Sequence, residues 1–185
     1  MLKIPTQYTS LNYVKPLSWE DVFDTWRKGE ARQKFWKKHW KSRGFSSWDE
    51  WRKEYARPLK TESLEWFLFE IKNPLKDLPL FYGVPSKTWI KKAYKGEKTK
   101  ILSDIVNLTM VSKHPKVIDM QKDFPKETML TGLVYDNKII IIEGMHRACA
   151  LASWKASNNF TGVVKIALAV WLEKEIPLIG GNSKS

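Results

Sequence analysis

Residues 139–142 are four consecutive isoleucines, ending at Glu143-Gly144 and followed by Met145-His146-Arg147-Ala148-Cys149-Ala150-Leu151-Ala152. An unbroken β-branched run reads as a strand covered on both faces, since on a half-exposed strand every second side chain would face water. The residues after Gly144 are good helix formers. Strand, glycine turn and helix therefore follow one another within a few residues, which places the chain among α+β folds. The first turn of such a helix offers free N–H groups and the positive end of the helix dipole, a natural seat for an anion. His146 and Arg147 do nothing for the helix dipole in that turn and make sense beside a phosphate or carboxylate. The alternative is that Arg147 pairs with a carboxylate of the protein itself.

The same residues, Glu143-Gly144-Met145-His146-Arg147-Ala148-Cys149-Ala150, resemble the acid-Gly-x-His-Arg-x-x-Ala signature of the ParB/sulfiredoxin-like superfamily. That superfamily includes partition-protein N-terminal domains, sulfiredoxin and the free-serine kinases of archaea. The resemblance spans about the C-terminal two-thirds of the chain. It implies a small mixed sheet with helices and a turn that binds nucleotide phosphates, with ATP, ADP or CTP and Mg2+ as the expected ligands. Gly144 would let the backbone approach the phosphates, the N–H groups of Met145, His146 and Arg147 would face them, and Arg147 would clamp their oxygens. Glu143 and His146 are the candidate catalytic pair, for phosphotransfer or nucleotide hydrolysis. Glu143 would hold a metal ion or a ribose hydroxyl or act as a base; otherwise it pairs with Arg147 or caps the helix.

Departures from the family's pattern narrow the activity. Sulfiredoxin carries its reactive cysteine where this chain has Met145, and a thioether is no thiolate. Cys149 lies a turn further on and is expected in the core. No arginine follows Arg147, so the partition proteins' downstream arginine-rich box is missing. Glu70 and Asp77 lie where the serine kinases carry a catalytic carboxylate, but no motif singles out either. No His and Cys spacing fits a zinc site, so no metal held by protein ligands alone is expected.

Upstream, the chain is aromatic and basic. Ser18 with Asp21, and Ser47 with Glu50, mark two helix starts by capping-box spacing. Trp19, Val22, Phe23 and Trp26 repeat at helical spacing, and Gly29 ends or interrupts that helix. A second helix is expected over 32–41, with Phe35, Trp36, His39 and Trp40 on one side and Gly44 as its stop. From residue 27 to 60, twelve Lys and Arg face four acids. Lys34, Lys37, Lys38, Lys41 and Arg43 are therefore candidate nucleic-acid contacts, and interleaved tryptophans can stack bases. The helical spacing favours instead a helical core for Trp19, Trp26, Trp36, Trp40 and Trp51, with lysines outside it. A non-catalytic DNA- or RNA-binding protein built on this extension is the alternative to a nucleotide-binding one.

The division expected is a basic helical extension over 1–60, beginning with an extended arm over 1–16, then an α/β domain over 61–176 and a loose tail over 177–185. Within the second part the pattern predicts a strand over 64–71, with a helix as the alternative there, a helix from Ser86 to about residue 94, and another over 100–110 with Ile101, Ile105 and Leu108 inward. A short helix or turn over 114–123 precedes a hairpin, 130–135 and 138–143 around Asp136-Asn137. The helix from 145 to about 157 breaks at Asn158-Asn159 before a last strand, 163–172. Net charge +12 favours polyanionic or phosphorylated partners. No apolar run is long enough for a membrane, residues 1–8 are mixed polar with no signal-peptide pattern, and a single cysteine suits a reducing cytoplasm. Nothing in the sequence bears on the oligomeric state.

Overall fold

The protein is described from a computed structural model covering residues 2–155, 159–181 and 183. The chain forms β1 (Leu11–Leu17), α1 (Trp19–Glu30), α2 (Lys34–Lys41), α3 (Trp48–Ala56) and β2 (Trp66–Ile71). Short helices follow: α4 (Pro74–Asp77), α5 (Lys87–Lys92), α6 (Leu102–Ile105), α7 (Thr109–Ser112) and α8 (Pro115–Lys122). Then come β3 (Glu127–Tyr135), β4 (Lys138–Glu143), α9 (Met145–Ala152) and β5 (Val163–Val170). The five strands make one mixed sheet in the order β1-β2-β5-β3-β4, an α+β architecture. No helix among the described residues is long and apolar enough to cross a membrane.

The isoleucine run is the middle of β4, with Ile139, Ile140, Ile141 and Ile142 each at most 1% exposed. β3 pairs with β4 antiparallel through a two-residue turn in which Asp136 (φ 47°) and Asn137 (φ 56°) are both left-handed, the geometry that suits the twist of a hairpin. β3 also pairs with β5, in parallel. Parallel neighbours need a crossover, and β4 with α9 supplies it. The outer edge of β4 is closed at Tyr82, whose N–H donates to the Ile139 carbonyl and whose carbonyl accepts from Ile141, both at 2.8 Å.

Residues 11–16, expected to be an arm, belong instead to edge strand β1, paired antiparallel with β2 from Leu11–Ile71 to Leu17–Trp66. An edge strand exposed on both faces shows no alternation of apolar residues, and its outer row of backbone groups tolerates Pro16. The expected helix over 100–110 is two short helices, because the chain turns extended at Leu108 (ψ 136°). Leu102 and Ile105, rather than Ile101 and Leu108, are its fully buried positions. Helix α9 stops at Ala152, with the Ser153 N–H donating to Cys149 (3.0 Å); residues 156–158, where a continuation and break were expected, lie outside the described residues. The expected loose tail is anchored at its start, since Ile179 is fully buried and its N–H donates to Pro85 (2.9 Å).

The N-terminal helices pack against the same sheet. Ser18 and Asp21 form the expected capping box, and α1 runs through Gly29 to Glu30. Ser47 accepts from Glu50 N–H (3.1 Å), while the Glu50 carboxylate reaches back to the Ser46 N–H (2.9 Å). Trp26, Trp40, Trp48 and Trp51 are buried, Trp19 and Trp36 half-buried, so the tryptophans serve as core. The Trp26 indole N–H donates to the Thr131 hydroxyl of β3 (2.8 Å), joining α1 to the sheet.

One charge is folded inside this aromatic core. The Arg52 guanidinium lies 4.4 Å from the Trp51 ring centroid and 4.6 Å from that of Tyr55. It donates through Nε to Glu30 (2.7 Å), which also accepts from the Trp48 indole (3.1 Å). Removing one member of a buried pair strands the other charge, at a cost of about 3–5 kcal/mol. Urea unfolding of Arg52→Met should show a loss of that order, and adding Glu30→Gln should restore a large part of it.

Candidate functional site

The turn between β4 and α9 is built around Gly144, whose φ of 93° is open to glycine and strained for other residues. A Cβ there would also stand 2.5 Å from a methyl of Leu130 and 3.2 Å from the Arg147 guanidinium. The close approach has a cause: Arg147, four residues after Glu143, folds back over the turn. Its Nη2 donates to both oxygens of Glu143 (2.6 and 2.7 Å), and Nη1 donates to the Thr128 hydroxyl of β3 (2.6 Å). Glu143 is 9% exposed. Burial pushes its carboxyl up, against the opposing pull of the Arg147 guanidinium. Of the roles open to Glu143 in the sequence, pairing with Arg147 is the one the resting geometry displays.

His146 occupies the second position of α9 and turns to the neighbouring helix. Its ring centroid is 4.4 Å from that of His114, the N-cap of α8, and 6.2 Å from that of Trp89. His114 Nδ1 accepts from the Lys116 N–H (3.2 Å), so its neutral form carries the proton on Nε2 as a donor. Burial first, then His114, Lys116 and Arg147, hold the His146 imidazole down to about 3. Burial and Lys116 lower His114 as well. Both rings are therefore neutral near pH 7.

Lys116 completes the cluster. It is half-buried, with Nζ 3.9 Å from the Phe35 ring centroid and 4.1 Å from that of Trp36, both on α2. It forms no ion pair with a carboxylate among the described residues. Tyr55 of α3 donates from its hydroxyl to the Ile142 carbonyl (2.7 Å), at the last residue before Glu143. The N-terminal helices thus stand directly beside the turn.

The sequence-derived residues divide accordingly. Glu143, Gly144, Met145, His146 and Arg147 are together at the end of β4, with Met145 buried. Lys34, Lys37, Lys38 and Lys41 are exposed on α2, and Arg43, just beyond it, is half-buried. Cys149 is fully buried and burial pushes its thiol up to about 12, so it is no thiolate at neutral pH. Glu70 pairs with Lys72 (2.7 Å), and buried Asp77 accepts from the Ser10 N–H (3.0 Å) and hydroxyl (2.6 Å), so neither is bonded to a residue of the turn. His114, Lys116 and Thr128 were not singled out in the sequence. The one local signal was His114-Pro115, a proline at the first position of a helix. A surface cleft of about 1000 Å3, lined by Trp19, Phe45, Lys53, Arg57 and Lys60 among others, includes none of these residues.

Against known proteins the chain stands without a match: no family model, curated protein or solved structure matches it.

Gly144→Ala should destabilise by about 1–3 kcal/mol in denaturant unfolding, from the left-handed backbone and the crowding at Leu130 and Arg147. The His146 shift has a defined sign. Between its ordinary value and about 3 the unfolded chain binds a proton that the folded one does not, so stability is lost as pH falls through that window. His146→Gln should flatten the fall of the melting temperature measured between about pH 6.5 and about pH 4.

Proposed function

We propose that the protein binds a phosphate-bearing ligand, a nucleotide such as ATP, ADP or CTP, at the first turn of α9. The observation that carries this is the meeting of two helix N-termini at the His114–His146 pair, with Lys116 beside them (ring centroids 4.4 Å apart). Two positive dipole ends and an ammonium brought together oppose one another unless an anion sits among them. The free N–H groups of the first turn and the neutral imidazole N–H groups are donors suited to phosphate oxygens. The ParB/sulfiredoxin-like reading of the fold rests on the signature residues and on the order hairpin, helix, final parallel strand.

Chemistry at the turn is the second step of the proposal. A phosphate arriving at Gly144 competes with Thr128 for the Arg147 guanidinium. With Nη1 drawn from Thr128 to the phosphate and Nη2 still on Glu143, the buried carboxylate keeps its cation and stands as the general base, with His146 as hydrogen-bond partner. No group of three or more His, Cys, Asp or Glu side chains that could hold a metal ion occurs among the described residues. Mg2+ would accordingly enter on the nucleotide's own phosphates, with Glu143 as the nearest protein ligand.

Thermal melts with ATP, ADP, CTP and pyrophosphate, each with and without Mg2+, test the reading. At about 100 times Kd a ligand adds about 2.7 kcal/mol, a rise of roughly 5–10 °C for a chain of this size. His146→Gln and Lys116→Met should shrink the rise, while leaving the ligand-free melt near pH 7 close to wild type. No rise in wild type with any of the four would sink the proposal.

A further inference from the structure

Helix α2 is Lys-Phe-Trp-Lys-Lys-His-Trp-Lys, with no acidic residue in its first turn. At 100° per residue, Lys34, Lys37, Lys38 and Lys41 fall within one arc of about 100°, while Trp36 and Trp40 point to the opposite side. All four lysines are exposed, and none pairs with a carboxylate among the described residues. Like charges three and four residues apart work against the helix that carries them. No carboxylate among the described residues offsets this stripe, which leaves it open to an anionic partner.

Beside the stripe stands one exposed ring. The tryptophans of the N-terminal helices are buried or half-buried, but Phe35 is 56% exposed. Its ring is nearly parallel to that of His39 (15°, 6.3 Å), and Lys116 holds it from the α8 side at 3.9 Å. Lys38 follows Phe35 around the helix, so the ring borders the basic arc. We infer that this face of α2 binds single-stranded nucleic acid, with phosphates along Lys34, Lys37, Lys38 and Lys41 and a base stacked on Phe35. Duplex hides its base faces and has no use for the ring, whereas an unpaired strand offers a base face and a phosphate together. An acidic protein segment would use the lysines and leave the ring without a role. The inference shares only Lys116 with the α9 seat and needs no ligand there.

Fluorescence anisotropy with labelled oligo(dT) and oligo(U) decides it. Wild type should bind both, with affinity falling in salt at a log–log slope of about −3 for four phosphates. Replacing the four lysines by alanine should flatten that slope towards zero. Phe35→Ala should weaken binding about 5- to 150-fold with the slope kept, and Phe35→Trp should restore it. Melting curves confirm that each variant folds. Three results each overturn the inference: no binding at about 50 mM salt, unchanged affinity in Phe35→Ala, or equal competition by duplex DNA, polyglutamate or anionic vesicles.

Discussion

Arg147 reaching back to Glu143 is the interaction on which the centre of the molecule depends. A carboxylate 9% exposed at the end of a buried strand is tolerable only with a cation on both of its oxygens. That requirement explains the residues around it. Gly144 is glycine because its φ of 93° is left-handed and a Leu130 methyl stands 2.5 Å from where a Cβ would be, with the guanidinium 3.2 Å from the same point. Thr128 takes the guanidinium's remaining reach. The pair ties the first turn of α9 to the end of β4, within the crossover that lets β5 lie parallel to β3.

A second buried pair, Glu30 with Arg52, lies close enough that its charges act on Glu143. Tyr55, stacked under Arg52, donates to the carbonyl just before Glu143. The aromatic N-terminal helices and the sheet therefore share one chain of polar contacts across residue 60. Positive charge exceeds negative at this centre: Arg52, Arg147 and Lys116 face Glu30 and Glu143. Burial first, and this imbalance after it, depresses the neighbouring imidazoles, so the turn presents neutral donors beside fixed cations.

The lysines and the tryptophans of the N-terminal helices have separate tasks. Spacing at the helical period sends Trp26, Trp40, Trp48 and Trp51 into the core, where burial stabilises and the indole N–H groups of Trp26 and Trp48 find acceptors. The lysines of α2 are left facing water. Lys116 joins the two regions, since it rests on α2 rings while standing beside His146.

Much of this was legible in the chain itself. The isoleucine run, the Asp136-Asn137 turn, Ser18 with Asp21 and the helix after Gly144 are local signals, since strand propensity, positive φ and capping act within a few residues. Edge strand β1 was hidden because a strand exposed on both faces has no apolar period, and the anchoring of Ile179 depends on a partner 93 residues away by number, Ser86. At the site, the sequence by itself determined that Glu143, Gly144, His146 and Arg147 would share one turn. It left open whether Arg147 faces a ligand or Glu143. Only the tertiary structure shows Arg147 lying on Glu143, because burying Glu143 beside the N-terminal helices makes its charge too costly to leave unpaired, and only the packing of α8 on α9 brought His114 and Lys116 to the same place.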